Sequence, residues 1–407
     1  MSGNELTWQQ KFDLIRENLA EVLNPEIIED VLKKGEPLRI YWGTAPTGKV
    51  HCGYFVPMIK IAQFLQAGCN VKVLLADVHG FLDNLKAPIE LVEYRAKYYR
   101  FCITALLRAL NVPIEKLEFV LGSSYQLSAK YAMDVYRLTA ITTEHDARKA
   151  GAEVVKQVDN PTLSGLIYPL LQALDEEALD VHAQFGGVDQ RKIFTLASEA
   201  LPRIGYRARA HLMNPMVPGL AGGKMSASDP NSKIDLIDPP DVVARKIKKA
   251  NAAPKEVEDN GLLAFVEHVL FPASGLLDDE RRFVVERKEG EPLVYTTPEA
   301  MKEDYRKDIL TPQLLKPAVT AALQRLLDPI QKEFASNPEW QEIEKKAYPA
   351  EVPKEKKQKK PKDKGTKYLE MKKAAEQKAE EGKTLNEATE ADVGKDASEA
   401  MEKLSMG

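Results

Sequence analysis

Apolar residues fall into two rhythms along this chain. Between residues 8 and 34 they recur at helical spacing among charged positions (Trp8, Phe12, Leu14, Ile15, Leu19, Val22, Leu23), which predicts one or two helices packed on a core. Leu38 to Trp42 is a short apolar run that predicts a buried strand, and the apolar-periodic segment from Phe55 predicts a helix over 55–67. Val71 to Ala76, apolar but for Lys72, predicts a second strand ending at Asp77; 88–110 predicts a long helix and Leu117 to Leu121 a third strand. Residues 126–157 read as helical and rich in Tyr, Arg and Lys. Ala178 to Ala183 reads as another strand, Gly186-Gly187 as a turn into a further helix, and His211 to Met216 as the last strand. Such βαβαβ alternation predicts an α/β fold, a doubly wound parallel sheet with helices on both faces. Ligands then sit at the carboxyl ends of the strands, where Tyr41, His51 and Asp77 fall. From 239 to 347 the pattern is mostly helical, broken by short apolar runs at 283–285 and 293–295.

Composition narrows the classes. With 407 residues and 44% hydrophobic content there is enough chain for two or three domains with sizeable cores. The formal charge of −4 gives no whole-chain bias towards nucleic acid, so any RNA contact must come from local patches. No apolar run reaches about 18 residues, so no membrane span or membrane partner is expected. The N-terminus has no apolar signal core, and Cys52, Cys69 and Cys102 have spacing that fits neither a disulfide framework nor a zinc site. A cytoplasmic setting is expected. The cluster from Arg245 to Lys249 could act as a nuclear signal for a minor pool, although most such clusters are plain helix surface. Beyond Pro349 the character changes: residues 352–364 hold seven Lys against one Glu and one Asp, which reads as a solvated tail.

Two stretches carry the chemistry. In the first, Gly43, Pro46 and Gly48 break regular structure after the first strand, and His51-Cys52-Gly53-Tyr54 leads into a helix. Backbone N–H groups and the positive end of a helix dipole collect there, which suits a phosphate; a His that merely caps its own helix satisfies the local pattern equally well. The second is Gly219-Leu-Ala-Gly-Gly-Lys-Met-Ser-Ala-Ser-Asp229, a glycine-loosened loop with one cation, Lys224, and two hydroxyls, Ser226 and Ser228. It resembles the Lys-Met-Ser-Lys-Ser signature of class I aminoacyl-tRNA synthetases, with Ala227 in place of the second Lys. His51 to Tyr54 resembles the matching His-x-Gly-His signature, with Tyr54 in place of the second His. Both occur in the family's order and separation.

Between them, Tyr168, Gln172 and Asp175 stand at spacings of four and three on an otherwise leucine-rich segment, one face of a helix. That face either points to solvent or buries polar groups that need partners. These residues, with Tyr41-Trp-Gly-Thr44, Leu82-Asp-Asn84, Gln184 to Gln190 and His211 to Gly219, resemble the eukaryotic and archaeal tyrosyl-tRNA synthetases over nearly all of residues 8–349; the lysine tail is similar to fungal members.

The resemblance implies a Rossmann-like catalytic domain at 38–231 with a connecting region at about 122–165. It also implies N-terminal helices at 1–37, a helical anticodon-binding domain at 232–350, and a tail at 351–407. It implies that Tyr41 and Asp175 hold a phenol hydroxyl, and that Tyr168, Gln172 and Gln190 hold the ammonium of L-tyrosine. Gly43, His51, Gly53, Tyr54, Gly187, Asp189, Lys224 and Met225 would bind ATP. His51, Lys224, Ser226, Ser228 and, less directly, Thr47 would act on the phosphates, Mg²⁺ would bridge them with few protein ligands and no dedicated metal site, and tRNA(Tyr) would take the tyrosyl group in a homodimeric enzyme. A carboxylate beside a phenol would reject phenylalanine, which leaves both unpaired.

The rivals are tryptophanyl-tRNA synthetase, against which Tyr41 with Asp175 argue; a nucleotidyltransferase, which would lack the helical domain; and a non-catalytic tRNA-binding relative, against which the intact His51 and Lys224 argue. Lys224→Ala is expected to lower tyrosine-dependent ATP–pyrophosphate exchange by orders of magnitude with tyrosine affinity little changed, and an unchanged exchange rate would remove Lys224 from the mechanism.

Overall fold

The computed structural model describes residues 6–83, 88–114, 117–155, 162–219, 233–278, 280–349 and 372–373. The chain opens with α1 (Trp8–Arg16), whose N-terminus is a capping box: the Thr7 hydroxyl accepts from the Gln10 N–H and the Gln10 side chain accepts from the Thr7 N–H. The stretch 8–34 is not all helix. Between α1 and α2 (Pro25–Lys33) lies a short strand, β1 (Glu21–Leu23). Asn18 and Asn24, at φ of 58° and 52°, turn the chain on either side of it, and Asn tolerates that region better than most residues.

Then follow β2 (Arg39–Thr44), α3 (Phe55–Gln66), β3 (Asn70–Leu75), α4 (Asp77–Leu82), α5 (Ile89–Ala109) and β4 (Leu117–Leu121). The connecting helices are α6 (Ser123–Gln126), α7 (Ala129–Thr139) and α8 (Glu144–Gly151), before α9 (Leu163–Ala178), β5 (Ala183–Gly187), α10 (Arg191–Arg203) and β6 (Ala210–Asn214). The six strands form one sheet in the order β1-β6-β5-β2-β3-β4, parallel throughout except for β1 against β6. Helices cover both faces, so strands such as β3 bury Val71 and Val73 to Leu75, which lie on both faces, the reason they read as apolar runs.

One strand lies away from its expected place. Ala178 is still the last residue of α9; Asp180, at φ 48°, turns the chain, and β5 begins at Ala183. The glycine pair belongs to the strand. A Cβ on Gly186 would sit 2.6 Å from the Gln190 side-chain oxygen and 2.9 Å from the Phe194 ring, so β5 approaches its neighbour too closely for a side chain.

The remainder holds α11 (Pro240–Lys249), α12 (Gly261–Phe265), a π-helical turn at Val266–Leu270 and α13 (Phe271–Leu277). A hairpin of β7 (Phe283–Val285) and β8 (Leu293–Tyr295) follows, then α14 (Pro298–Arg306), α15 (Pro312–Ser336) and α16 (Pro338–Ala347). The two apolar breaks are thus the arms of a hairpin. Trp340 of α16 is fully buried, stacked on Phe101 of α5 at 5.6 Å and edge-on to Phe334 of α15 at 5.3 Å. Of residues 350–407 only Lys372 and Lys373 are described, so the expected tail lies outside the described residues. Among the described residues no helix is long and apolar enough to cross a membrane. Trp340→Ala is expected to cost about 3–5 kcal/mol of stability in a denaturant titration, because a large buried indole leaves a cavity that its neighbours fill only in part.

Candidate active site

From β2 the chain winds outwards through β3 and β4, then crosses back to lay β5 and β6 on the other side of β2. The two directions of winding part between β2 and β5, and a crevice opens there at the strands' carboxyl ends. It is a cavity of about 410 Å³, of a size suited to a small ligand. Its walls bring together Tyr41 and Gly43 from β2, Thr47, His51, Gly53 and Tyr54 from the loop that follows, and Tyr168, Gln172 and Asp175 from α9. Gly187, Asp189 and Gln190 come from the end of β5 and the turn after it. Every expected site residue among the described residues lies on this one cavity. Lys224, Met225, Ser226 and Ser228 lie outside the described residues. The chain on either side of their loop is nonetheless at the site: Met216 and Val217 line the cavity, and Lys233 to Leu236 run beside the His51 turn. There Cys52 N–H donates to Ile234 O at 2.9 Å, Leu236 N–H donates to Val50 O at 3.3 Å, and His51 and Asp235 form a β-bridge.

The floor is a buried carboxylate. The polar face of α9 points inward: Asp175 is 0% exposed, and one of its oxygens accepts three hydrogen bonds at 2.8 Å, from Tyr125 Oη, Gln126 Nε2 and Tyr131 Oη. Its other oxygen has no hydrogen-bond partner among the described residues; His79 Nε2 stands 3.9 Å away. A buried acceptor left unpaired is costly, so a ligand hydroxyl has a place to bind. Burial pushes the Asp175 carboxyl up to about 7, against the pull of hydrogen bonds from Gln126, Tyr131 and Tyr125 and with Glu176 raising it further. Tyr41 is 1% exposed and donates from its phenol to Gln172 O at 3.2 Å, while Gln172 Nε2 donates to Gln190 Oε1 at 2.8 Å.

At the mouth, His51 does cap the short 3-10 turn Cys52–Tyr54: its Nδ1 accepts from Gly53 N–H at 3.2 Å. Burial, helped by the Lys233 charge, holds its pKa down at about 4, so near neutrality the ring is uncharged and its proton sits on Nε2. The free backbone N–H groups expected there are occupied. Cys52 gives its N–H to Ile234, Gly53 to the His51 ring and Tyr54 to His51 O. The ring N–H, rather than the amides of 52–54, is the donor left at this corner. Tyr54, in place of a second histidine, packs edge-on to the His51 ring at 5.3 Å and shares a hydrogen bond of 3.0 Å with the Thr44 hydroxyl.

Sequence reading missed Tyr125, Gln126, Tyr131 and His79. The same rule that singled out Tyr41 could have found three of them, since His79 follows the carboxyl end of β3 and Tyr125 and Gln126 follow that of β4. Tyr131 carries no such signal. The three cysteines are free and buried, and burial pushes Cys69 up to about 12.

Comparison with known proteins decides among the readings. Residues 33–328 match the family model described as tRNA synthetases class I (W and Y). The chain is 60% identical over 366 residues to a protein named cytoplasmic tyrosine–tRNA ligase from Saccharomyces cerevisiae, covering 88% of this chain and 93% of that one. The chain belongs to the tyrosine–tRNA ligases of that family. A Danio rerio member is 56% identical over 349 residues, 85% of this chain; the match spans 64% of that longer protein. A crystal structure of tyrosyl-tRNA synthetase complexed with L-tyrosine from Archaeoglobus fulgidus superposes with a TM-score of 0.73 at 37% identity, covering 80% of this chain and 99% of that one. Membership of the tyrosine–tRNA ligases sets aside the tryptophan enzyme and the nucleotidyltransferase.

The raised Asp175 pKa has a signed consequence. The ordinary carboxyl loses its proton near 4 in the unfolded chain, whereas the folded site holds the proton up to about 7. Between those values the folded state binds more protons, so this group's contribution to stability falls as pH rises. In chemical denaturation of the ligand-free protein, the stability of wild type minus that of Asp175→Asn is therefore expected to fall from pH 4 to 7 and level off above. His51, held down by burial, is present in both proteins and drops out of the difference.

Proposed function

We propose that the cavity activates L-tyrosine with ATP to tyrosyl-adenylate and pyrophosphate, and that the tyrosyl group then passes to the 3′-terminal adenosine of tRNA(Tyr). The observation that carries this is a fully buried Asp175 on the cavity wall, one of whose oxygens has no hydrogen-bond partner among the described residues, with Tyr41 lining the same cavity. The phenol hydroxyl would donate to Asp175 and accept from Tyr41, whose own hydrogen bond to Gln172 O is long enough, at 3.2 Å, to exchange readily. Tyr168, Gln172 and Gln190 would take the ammonium group, leaving the carboxylate aimed at the mouth. There it attacks the α-phosphorus, a P–O bond forms as the bond to pyrophosphate breaks, and negative charge spreads over the phosphate oxygens.

Catalysis is positioning and charge stabilisation, without a covalent enzyme intermediate. The neutral His51 ring would donate from Nε2 to a phosphate oxygen; Thr47 lies on the same rim, and Gly43, Gly53, Tyr54, Gly187 and Asp189 wall the nucleotide side. Lys224, Met225, Ser226 and Ser228 would close from the other side. With Ala227 that loop brings one cation where many relatives have two. Besides Asp175, the cavity's carboxylates are Asp83 and Asp189, hard oxygen donors of the kind that Mg²⁺ takes. The ion would supply charge neutralisation on the triphosphate, with few protein ligands.

Further readings extend this to the whole chain. Residues 38–231 would form the catalytic domain, with 1–37 leading into it, and 232–350 would read the anticodon. The lysine-rich tail at 351–407 would add phosphate contacts. The connecting helices would build a homodimer: Leu127, Met133 and Tyr136 are 75%, 59% and 66% exposed, and Leu163 at the start of α9 is 76% exposed, a cluster of bare apolar side chains that suits an interface. The relatives' names place them in the cytoplasm, and the same compartment fits this chain.

The decisive assay is amino-acid-dependent ATP–pyrophosphate exchange. Wild-type protein is expected to exchange with tyrosine and not with phenylalanine or tryptophan; no exchange would overturn the activity. Asp175→Asn is expected to lower the tyrosine-to-phenylalanine ratio of kcat/KM by roughly 10- to 100-fold, the worth of one buried acceptor matched to a hydroxyl.

A further inference from the structure

The loop between β2 and the His51 turn has almost no hydrogen bonds of its own. Three consecutive carbonyls in it, Gly48, Lys49 and Val50, all accept from elsewhere in the chain. Val50 O takes the Leu236 N–H at 3.3 Å, and Lys49 O takes the Lys233 ammonium at 3.4 Å. Gly48 O takes two phenols, Tyr99 from α5 and Tyr348 from just past α16, each at 2.7 Å. Both acceptor positions of that carbonyl are thus filled by rigid aromatic donors from different helices. The neighbouring Lys49 side chain is drawn the same way: its ammonium pairs with Glu344 of α16 and lies 5.8 Å from the Tyr348 ring centre. On the other side, the Tyr99 hydroxyl stands 3.5 Å from that of Tyr54, which meets Thr44 on the cavity wall. A hydrogen-bonded chain therefore runs from Tyr348, just past α16, through Gly48 O, Tyr99 and Tyr54 to Thr44 on the cavity wall.

We infer that Tyr348 and Glu344, at the end of the helical region, are positioning residues for adenylate formation: with Tyr99 they fix the backbone of 47–49, and so the placing of Thr47 and His51 against the triphosphate. A loop pinned mostly by groups from afar holds one shape while those pins hold, and each lost pin gives it other shapes in which the phosphate donors are misplaced. None of the three residues reaches the tyrosine end of the cavity, so the effect belongs to ATP and to turnover. The inference rests on the proposed activity, with ATP at this loop.

The test is pyrophosphate exchange on the full-length protein with tyrosine and ATP varied separately, for wild type, Tyr348→Phe, Tyr99→Phe, the double Phe variant and Glu344→Gln. Each single Phe variant keeps its ring and is expected to raise the ATP KM or lower kcat by roughly three- to tenfold with the tyrosine KM unchanged, the scale of one hydrogen bond. The double variant, which strips Gly48 O of both donors, is expected to lose more than the product of the two. Glu344→Gln is expected to act in the same direction and decides the matter should a Phe variant melt early. Wild-type ATP kinetics in all four variants would overturn the inference, as would tyrosine and ATP constants that worsen in parallel. No exchange by the wild type would instead fail the activity itself.

Discussion

A carboxylate with no access to water sets the terms for the sheet and the helices packed on it. Asp175 is stable there because two phenols and an amide converge on one oxygen, and placing those three donors requires β4, α6 and α7 to end where they do. A buried charge needs partners, and here the partners stop one short. What remains, among the described residues, is an acceptor that suits a donor group on a ligand. The next residue provides the contrast. Glu176, equally buried, pairs with His211 of β6 at 2.7 Å behind the site, with His211 stacked on Phe194 at 4.7 Å. Two adjacent acids on one helix thus serve opposite ends, one anchoring α9 to the sheet and the other left open to the cavity.

Above that floor, geometry comes from topology. Because the winding reverses beside β2, residues that are distant in sequence arrive at one crevice without a long loop to carry them. Tyr41 comes from a strand, Asp175 from a helix and His51 from a turn, and each is held by regular structure rather than by a flexible segment. The segment after the lysine loop adds a second constraint. Lys233 to Leu236 hydrogen-bond to the backbone on both sides of His51, so the chain that leaves one signature is stitched directly to the other.

Much of this was legible in the amino-acid order. The parallel strands announced themselves as apolar runs because both faces are covered, and the i, i+4, i+7 spacing of Tyr168, Gln172 and Asp175 placed them on one helical face. What escaped notice has physical causes. β1 was absorbed into a helical pattern because three residues cannot show a period, and only the two asparagines at positive φ betray it. The glycines of β5 looked like a turn because the sequence does not reveal that Phe194 and Gln190 crowd that strand. Tyr131 reaches Asp175 by packing from a separate helix, and no spacing rule connects them. The amides after His51 looked free because one acceptor, Ile234 O, lies some 180 residues away from Cys52 and the others are the ring and carbonyl of His51 itself.

The antiparallel edge has a bearing on how the molecule comes into being. Glu21 to Leu23 pair with Met213 to His211, so the sheet's first strand to leave a ribosome must wait for its last. Until then β6 has no neighbour on that side and α2 lacks its contacts with β6, while α1 can already pack on α3 and β2, β3 and β4 can assemble among themselves. Closing so long a loop is entropically slow. Pairing of Glu21 to Leu23 therefore has to come after β6 exists, and this strand is a clasp on the outer edge of the sheet.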